Sequence, residues 1–191
     1  MRYAVLMAAV LCAEMARAGP LPEDTNAIKT LTVEQARRLA ETFPGVRADG
    51  LNDCLPLNGL KSLNADVARA LAKYDKGPLL LNGLTTLDAQ TAQTLASFPK
   101  WTGRLPRLTA LEAPDAVATA RALAARPGRL RLTGLKRVSP KTLAALIEKR
   151  DVEIPLIETL EFIREPDGST TEDFVIPDWL EDRQRRAGGS L

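Results

Sequence analysis

The sequence predicts an α/β fold built as a short solenoid, with parallel strands on one face and short helices on the other. The phrase LPLNGLKSLNADVARALA at 55–72 returns as LLLNGLTTLDAQTAQTLA at 79–96. Alternating leucines and helical apolar stripes follow each other in every copy, and helix-start residues recur in the same slot. A strand, a turn and a short helix cannot bury two apolar faces alone, so the copies must stack on one another.

The spacing of the first leucine in each copy sets the predicted units. These positions are Leu55, Leu79, Leu105 and Leu130, with Ile154 opening a last partial unit, so the spacings are 24, 26, 25 and 24 residues. A degenerate earlier copy, IKTLTVEQARRLA, begins at Ile28. The predicted repeat region covers 19–163, with units near 28–54, 55–78, 79–104, 105–129 and 130–153 and a partial unit at 154–163.

Each unit opens with a strand and a tight turn. The L-x-L run, as in 55–57, 79–81 and 130–132, has the period of a strand with one face inward. Asn58-Gly59 and Asn82-Gly83 follow, and glycine there indicates either a positive φ or a close backbone approach.

The second half of each unit is helical. Ala68, Leu71 and Ala72 lie at i, i+3 and i+4 and form one apolar stripe. Good N-cap residues recur in the same slot of four units: Thr32, Asn64, Asp88 and Ser139. Gln35 completes a capping box with Thr32. We predict helices near 33–42, 65–74, 89–97, 114–125 and 140–149.

The unit L-x-L-x-G-L-x-x-L-x-x-x-x-A-x-x-L-A resembles leucine-rich repeats, in particular a leucine-rich-repeat-like type found in exported bacterial proteins. The resemblance covers about residues 28–160 and is weakest in the unit at Leu105, which lacks the Asn-Gly turn. The familiar repeat carries an asparagine two positions later than Asn58 and Asn82. The resemblance implies a solenoid that binds another protein on the strand face.

The two ends of the chain and one internal segment depart from the repeat. Residues 1–18 have the charged start, apolar stretch and small-x-small ending of a secretory signal, which predicts export to the periplasm or the extracellular space. Proline and glycine predict a loop at 44–54. Residues 164–191 are interpreted as a C-terminal cap and tail, in which 174–180 either cover the last unit or dock a partner and 183–191 are frayed.

Composition excludes several classes of function. Without residues 1–18 the chain has 24 basic and 23 acidic side chains, so its charge gives no reason to expect nucleic acid as a partner. Cys54 would be the one cysteine left, either as a small apolar residue or in an intermolecular disulfide. The oligomeric state is left open.

The chain contains no histidine, which removes histidine-based triads and most catalytic zinc sites. It has no phosphate-binding glycine loop, and no cofactor is expected. The remaining candidates for catalysis are carboxylates, which form either a solvated charged face or the acid pair of a hydrolase: Glu153, Glu158, Glu161, Glu165, Asp178, Glu181 and Asp182.

The remaining candidate is a surface. The middle residue of each predicted strand should point away from the core and form one row: Pro56, Leu80, Pro106, Arg131 and Pro155. Trp101, among Lys100, Arg104 and Arg107, would either anchor an acidic peptide or glycan or cover the core at an irregular junction. The candidate binding residues are Leu80, Asn82, Trp101, Arg104, Arg107 and Arg131.

We therefore expect an exported, non-enzymatic module that binds or scaffolds another protein. The alternatives are a structural component of the cell envelope without a discrete ligand and a carboxylate-dependent hydrolase.

Overall fold

The computed structural model describes residues 22–112, 114–165 and 175–188, and within them the fold is mixed α/β. The six α-helices are α1 (Val33–Thr42), α2 (Ala65–Leu71), α3 (Ala89–Ala96), α4 (Ala116–Ala124), α5 (Pro140–Ile147) and α6 (Asp178–Gly188). The strands are β1 (Val46–Ala48), β2 (Leu51–Pro56), β3 (Leu79–Leu80), β4 (Ala110–Leu111), β5 (Leu130–Arg131), β6 (Arg137–Val138), β7 (Val152–Glu153) and β8 (Glu161–Phe162). Short 3-10 helices occupy Thr25–Ala27 and Ile157–Thr159.

The helix starts predicted from the N-caps are confirmed. The Thr32 hydroxyl accepts from the Gln35 N–H at 3.2 Å, and the Gln35 side chain accepts from the Thr32 N–H at 3.0 Å, which completes the capping box. The remaining predicted caps each accept from the N–H three residues on: Asn64, Asp88 and Ser139. The predicted ends of α2, α3 and α5 lie one to three residues too far along the chain.

Helix α4 begins differently. It starts at Ala116, two residues after the predicted position, and the side chain of its N-cap Asp115 does not cap its own helix. The Asp115 carboxylate instead accepts from the Ala89 N–H of α3 at 2.7 Å. A carboxylate at a helix N-terminus is stabilising, so Asp115 joins the two neighbouring helices.

Parallel pairing links strands that are far apart in the chain. β2 pairs with β3 through Leu55 and Leu79, and β5 pairs with β7 through Leu130 and Val152. Two isolated parallel bridges, Leu79 with Trp101 and Arg104 with Arg131, connect these two sheets. We call the row formed by β2, β3, segment 101–104, β5 and β7 the first ladder.

A second row of parallel strands lies after the turns. β4 pairs with β6, and β6 pairs with β8, in one three-stranded sheet. The Thr85 N–H donates to the Lys61 carbonyl at 2.9 Å, which continues the same contact toward the N-terminus. Successive helices from α1 to α5 contact one another, so the helices form a further layer.

The strand register corrects two predicted unit starts. Because Arg104 pairs with Arg131, Leu105 lies level with Leu132 and not with Leu130. Because Arg131 pairs with Glu153, Ile154 is also level with Leu132, so the last strand opens at Val152. An L-x-L run has two equivalent leucines, and a lone leucine in an irregular unit does not reveal which of the two it is.

The turns after the strands share one hydrogen bond. The N–H of the residue three places on donates to the carbonyl of the strand's last leucine in four turns: Leu57–Leu60, Leu81–Leu84, Leu105–Leu108 and Leu132–Leu135. Gly83 is not among the glycines with a positive φ, and a Cβ there would lie 1.9 Å from the Asn58 carbonyl oxygen. Close backbone approach is therefore the reason for glycine at this position.

Residues 44–54, predicted as a loop, contain a β-hairpin. β1 and the start of β2 pair antiparallel, with Val46 opposite Cys54 and Ala48 opposite Leu51. The two turn residues, Asp49 and Gly50, have φ values of 51° and 77°. This Asp-Gly pair with two positive φ values is a hairpin signal that the loop interpretation overlooked.

The core is built from the leucines of the first ladder, the turns and the helix stripes, together with Tyr74 and Trp101. At its C-terminal end Leu180 of α6 is buried in the same cluster, and Ile176 and Trp179 pack against it. Arg183 donates to the Val152 carbonyl at 2.8 Å. Residues 183–188 are therefore helical and not frayed, while Phe174 and 189–191 lie outside the described residues, as do 1–18.

Candidate binding surface

The outer row is the set of first-ladder side chains that alternate with the core leucines. Residues paired across parallel strands point to the same face, so the pairings Pro56–Leu80, Arg104–Arg131 and Arg131–Glu153 define it. Arg104 and Glu153 therefore stand where the sequence predicted Pro106 and Pro155. That prediction is wrong for the same reason as the two unit starts: the register differs by two residues.

The N-terminal half of the outer row is covered. Leu80 has no exposed surface and lies outside the main core cluster, and Pro56 beside it is buried as well. The Asn82 amide donates to the Asp49 carboxylate at 2.9 Å, which ties the tip of the β1–β2 hairpin to the end of β3. The expectation that Leu80 contributes a free binding position is therefore wrong.

Asparagines form a short ladder next to this half of the row. The Asn58 N–H donates to the Asn26 side chain at 3.3 Å, and the Asn82 N–H donates to the Asn58 side chain at 3.0 Å. The Asn82 Oδ1 is buried and has no hydrogen-bond partner among the described residues. Pro106 follows Leu105 as Asn82 follows Leu81, and proline has no N–H to donate, so the ladder stops there.

Trp101 is a core residue. It is 1 % exposed, and the Arg126 guanidinium lies 5.3 Å from the centre of its ring. The same guanidinium donates to three carbonyls, those of Trp101, Pro127 and Arg129. The interpretation of Trp101 as a cover of the irregular junction agrees with this geometry, and an exposed anchor does not.

Arg126 is an unusual cation for a protein interior. It is 8 % exposed, and within the described residues it forms no ion pair. Burial lowers the pKa of its guanidinium from the ordinary value. Its two terminal nitrogens bond three carbonyls at the irregular junction, a role that no sequence motif predicts.

The C-terminal half of the outer row is polar and accessible. Arg131 Nε lies 2.9 Å from Glu153 Oε2, with 39 % and 47 % of the two side chains exposed. Arg104, half-buried, stands on the other side of Arg131, and Arg107 is exposed at the following turn. Arg104 and Arg131 are the predicted binding residues that the structure brings together, and Glu153 is the member of this group that the binding prediction missed.

Several of the candidate catalytic carboxylates have structural partners. Glu153 pairs with Arg131, and Glu161 lies 3.2 Å from Arg137, which also pairs with Glu112 on β4's flank. The Glu165 carboxylate accepts from the Lys141 N–H at 2.8 Å, at the start of α5. No cluster of three or more potential metal ligands occurs in residues 22–112, 114–165 and 175–188.

Cys54 and Tyr74 belong to the base of the hairpin. The Cys54 thiol is buried, forms no disulfide within the described residues, and lies 2.9 Å from the Val46 carbonyl. The Tyr74 hydroxyl donates to the Asp53 carbonyl at 2.7 Å. Burial raises the pKa of Tyr74 above 10.0, and the nearby Cys54 and Asp53 add to this effect.

A groove of about 980 Å³ lies on the opposite side of the molecule, between α3 and α4. Its walls are mainly small residues, among them Ala96, Ala118 and Ala122. The groove contains one basic residue, Arg121, and shares no residue with the outer row.

No protein-family model, curated protein or solved structure matches this chain. Across the described part of the chain, none of the helices combines the length and the apolar character that a bilayer crossing needs.

Proposed function

We propose that this chain is a short leucine-rich-repeat-like solenoid that binds another protein through the C-terminal half of its outer row. The observation that carries the proposal is the row itself. Arg104, Arg131 and Glu153 lie on adjacent strands of one parallel ladder and keep polar side chains accessible. A row of side chains on a rigid ladder is a surface that can recognise an extended partner.

The solenoid architecture is supported by contacts that recur along the chain. Parallel pairs join residues 22 to 27 positions apart, and four segments of the first ladder are followed by the same turn hydrogen bond. Gly59, Gly83 and Gly134 each lie too close to a preceding carbonyl for any side chain. The C-terminal helix α6 covers one end of the core, as a solenoid requires.

A binding role without catalysis is supported by how the charges are used. Glu153 and Glu161 are engaged by arginines of neighbouring strands, and the chain has no histidine. We also propose export to the periplasm or extracellular space, on the signal-like sequence of residues 1–18. Mass spectrometry of the exported protein should then find a chain that starts at Gly19, and a retained Met1 would contradict this part of the proposal.

Site-specific photo-crosslinking tests the binding surface. We would place benzoylphenylalanine at position 107, an exposed arginine at the turn after Arg104, and, as a matched control, at position 69, an exposed arginine of α2 on the helix layer. Both replacements remove one exposed arginine, so they change the net charge equally.

The proposal predicts discrete protein adducts from position 107 and none from position 69. Adducts of equal yield at both positions would instead favour a structural component that packs without a defined site. The absence of adducts at both positions under native expression would contradict a protein partner.

A further inference from the structure

We infer that the partner segment is acidic and that Arg104 and Arg131 receive its carboxylates. This inference rests on the proposed function, because it assigns chemistry to the same surface.

The two arginines are immediate neighbours. Arg104 and Arg131 form a parallel bridge, which places their side chains on one face at the spacing of adjacent strands, about 4.8 Å. Like charges in such a pair repel each other unless an anion lies between or beside them. The site therefore gains when a carboxylate comes within reach of both guanidinium groups.

The protein supplies an acidic partner for one of these two arginines. Glu153 contacts Arg131 from the C-terminal side, at 2.9 Å. Within residues 22–112, 114–165 and 175–188, Arg104 forms no ion pair, and Leu80, on the neighbouring strand toward the N-terminus, is apolar. The place of a second acid, on the N-terminal side of Arg131, is thus left for a partner.

The surrounding charge points the same way. Residues 98–108 contain three basic side chains and no acidic ones, whereas residues 151–165 contain five acidic side chains and one basic one. A carboxylate that approaches the ladder is therefore attracted to Arg104 and Arg131 and repelled from the last strand. The guanidinium group also binds a carboxylate through two parallel hydrogen bonds, which an ammonium group cannot do.

An acidic peptide fits this arrangement better than a nucleic acid. A phosphate backbone carries its charge continuously, and it would bring anions against Glu153 and Asp151, both exposed, as soon as it passed Arg131. A peptide can place two or three carboxylates over the arginines and carry a neutral residue beyond them.

The test measures binding of a fluorescein-labelled hexaglutamate peptide by fluorescence anisotropy at low salt. We expect the Arg104→Gln variant to bind at least fivefold more weakly, and Arg104→Lys to lie in between because it keeps the charge and loses the paired hydrogen bonds. The matched control is Arg121→Gln, which makes the same charge change on α4 in the groove of the opposite face. It should change the affinity less than twofold, and thermal melts should show all three variants folded.

Equal losses in Arg104→Gln and Arg121→Gln would overturn the inference, because the peptide would then sense only net charge. No binding to the wild-type protein, or tighter Arg104-dependent binding of a labelled single-stranded RNA 15-mer, would overturn it as well. Failure here is distinguishable from failure of the proposed function. Crosslinks from position 107 that persist in Arg104→Gln would keep the protein partner and exclude the acidic contact.

Discussion

The stack of β2 on β3 and the junction between Trp101 and Arg131 hold the same ladder together by different means. In the first region, backbone and asparagine hydrogen bonds repeat at a spacing of 24 residues, and glycines let the turns approach closely. In the second, a buried arginine joins three carbonyls and stacks on a tryptophan. The outer surface changes at the same place, from buried apolar residues to accessible arginines.

This difference teaches that regularity and surface chemistry are coupled. Pro106 cannot continue the asparagine ladder, because proline has no N–H to donate. The strand segment 101–104 is held instead by the side chain of Arg126. Beyond this junction the outer positions of the paired strands carry charge, at Arg131 and Glu153. The following predictions test whether the two regions depend on the means of support assigned to them.

The largest effect is expected in the regular region. Gly83→Ala would place a methyl group 1.9 Å from the Asn58 carbonyl oxygen, so the two turns must separate. We expect a loss of about 3 kcal/mol or more in the free energy of unfolding, measured by urea denaturation. Gly50→Ala is the control, since its surroundings are open and only its φ of 77° is unfavourable, at about 1–2 kcal/mol. Equal losses in both variants would contradict close stacking at Gly83.

The irregular region should respond next most strongly, through Arg126. Arg126→Met keeps most of the side-chain volume but leaves three carbonyls without their donor, which should cost about 2–3 kcal/mol of stability. Arg121→Met, an exposed position on α4, should change stability by less than about 0.5 kcal/mol. Indole fluorescence of Trp101 should also report greater solvent exposure in Arg126→Met. If the two variants are equally stable, the junction does not depend on Arg126.

A smaller difference should separate the two asparagines of the ladder. Asn58→Ala removes the acceptor of the Asn82 N–H and should cost about 1–2 kcal/mol. Asn82→Ala removes an oxygen that has no partner within the described residues and an exposed bond to Asp49, so it should cost about 0.5 kcal/mol. Paired urea titrations measure the difference, and the reverse order would mean that the ladder does not end at Pro106.

The smallest effect is a dependence on high pH at the base of the hairpin. Because the pKa of Tyr74 is raised in the folded protein, the unfolded chain loses this proton first as the pH rises above about 10. Stability from this group is therefore complete below pH 10 and declines above it, by at most about 1.4 kcal/mol per pH unit. Urea titrations at pH 9 and 11 should show a smaller decline in Tyr74→Phe than in the wild type. Identical declines would exclude Tyr74 as the titrating group.

Local signals in the sequence predicted local structure well. The helix starts at Val33, Ala65, Ala89 and Pro140 follow from N-cap residues that act within three positions. The Asp49-Gly50 turn also carried a local signal, which the proline and glycine around it obscured. The long-range register was less accessible, because Leu105 alone fits two positions of an L-x-L strand.

The candidate binding residues show the same difference between what the sequence predicts and what packing decides. Arg104 and Arg131 were predicted as binding residues, and the ladder places them side by side. Leu80 and Trp101 were predicted from their place in the pattern, but their exposure depends on what packs over them, and both are buried. Arg126 lies in no motif, since its partners are backbone carbonyls whose positions the sequence does not describe.

By itself the sequence determined where the four side-chain-capped helices begin, which leucines alternate and which turns require glycine, because each depends on residues close together in the chain. Only the tertiary structure decided which strand lies beside which at residue level, which outer positions the hairpin tip approaches, and which arginine lacks an acid. Those properties arise when residues 22 to 33 positions apart meet, and a side chain's exposure or charge partner exists only after they have met.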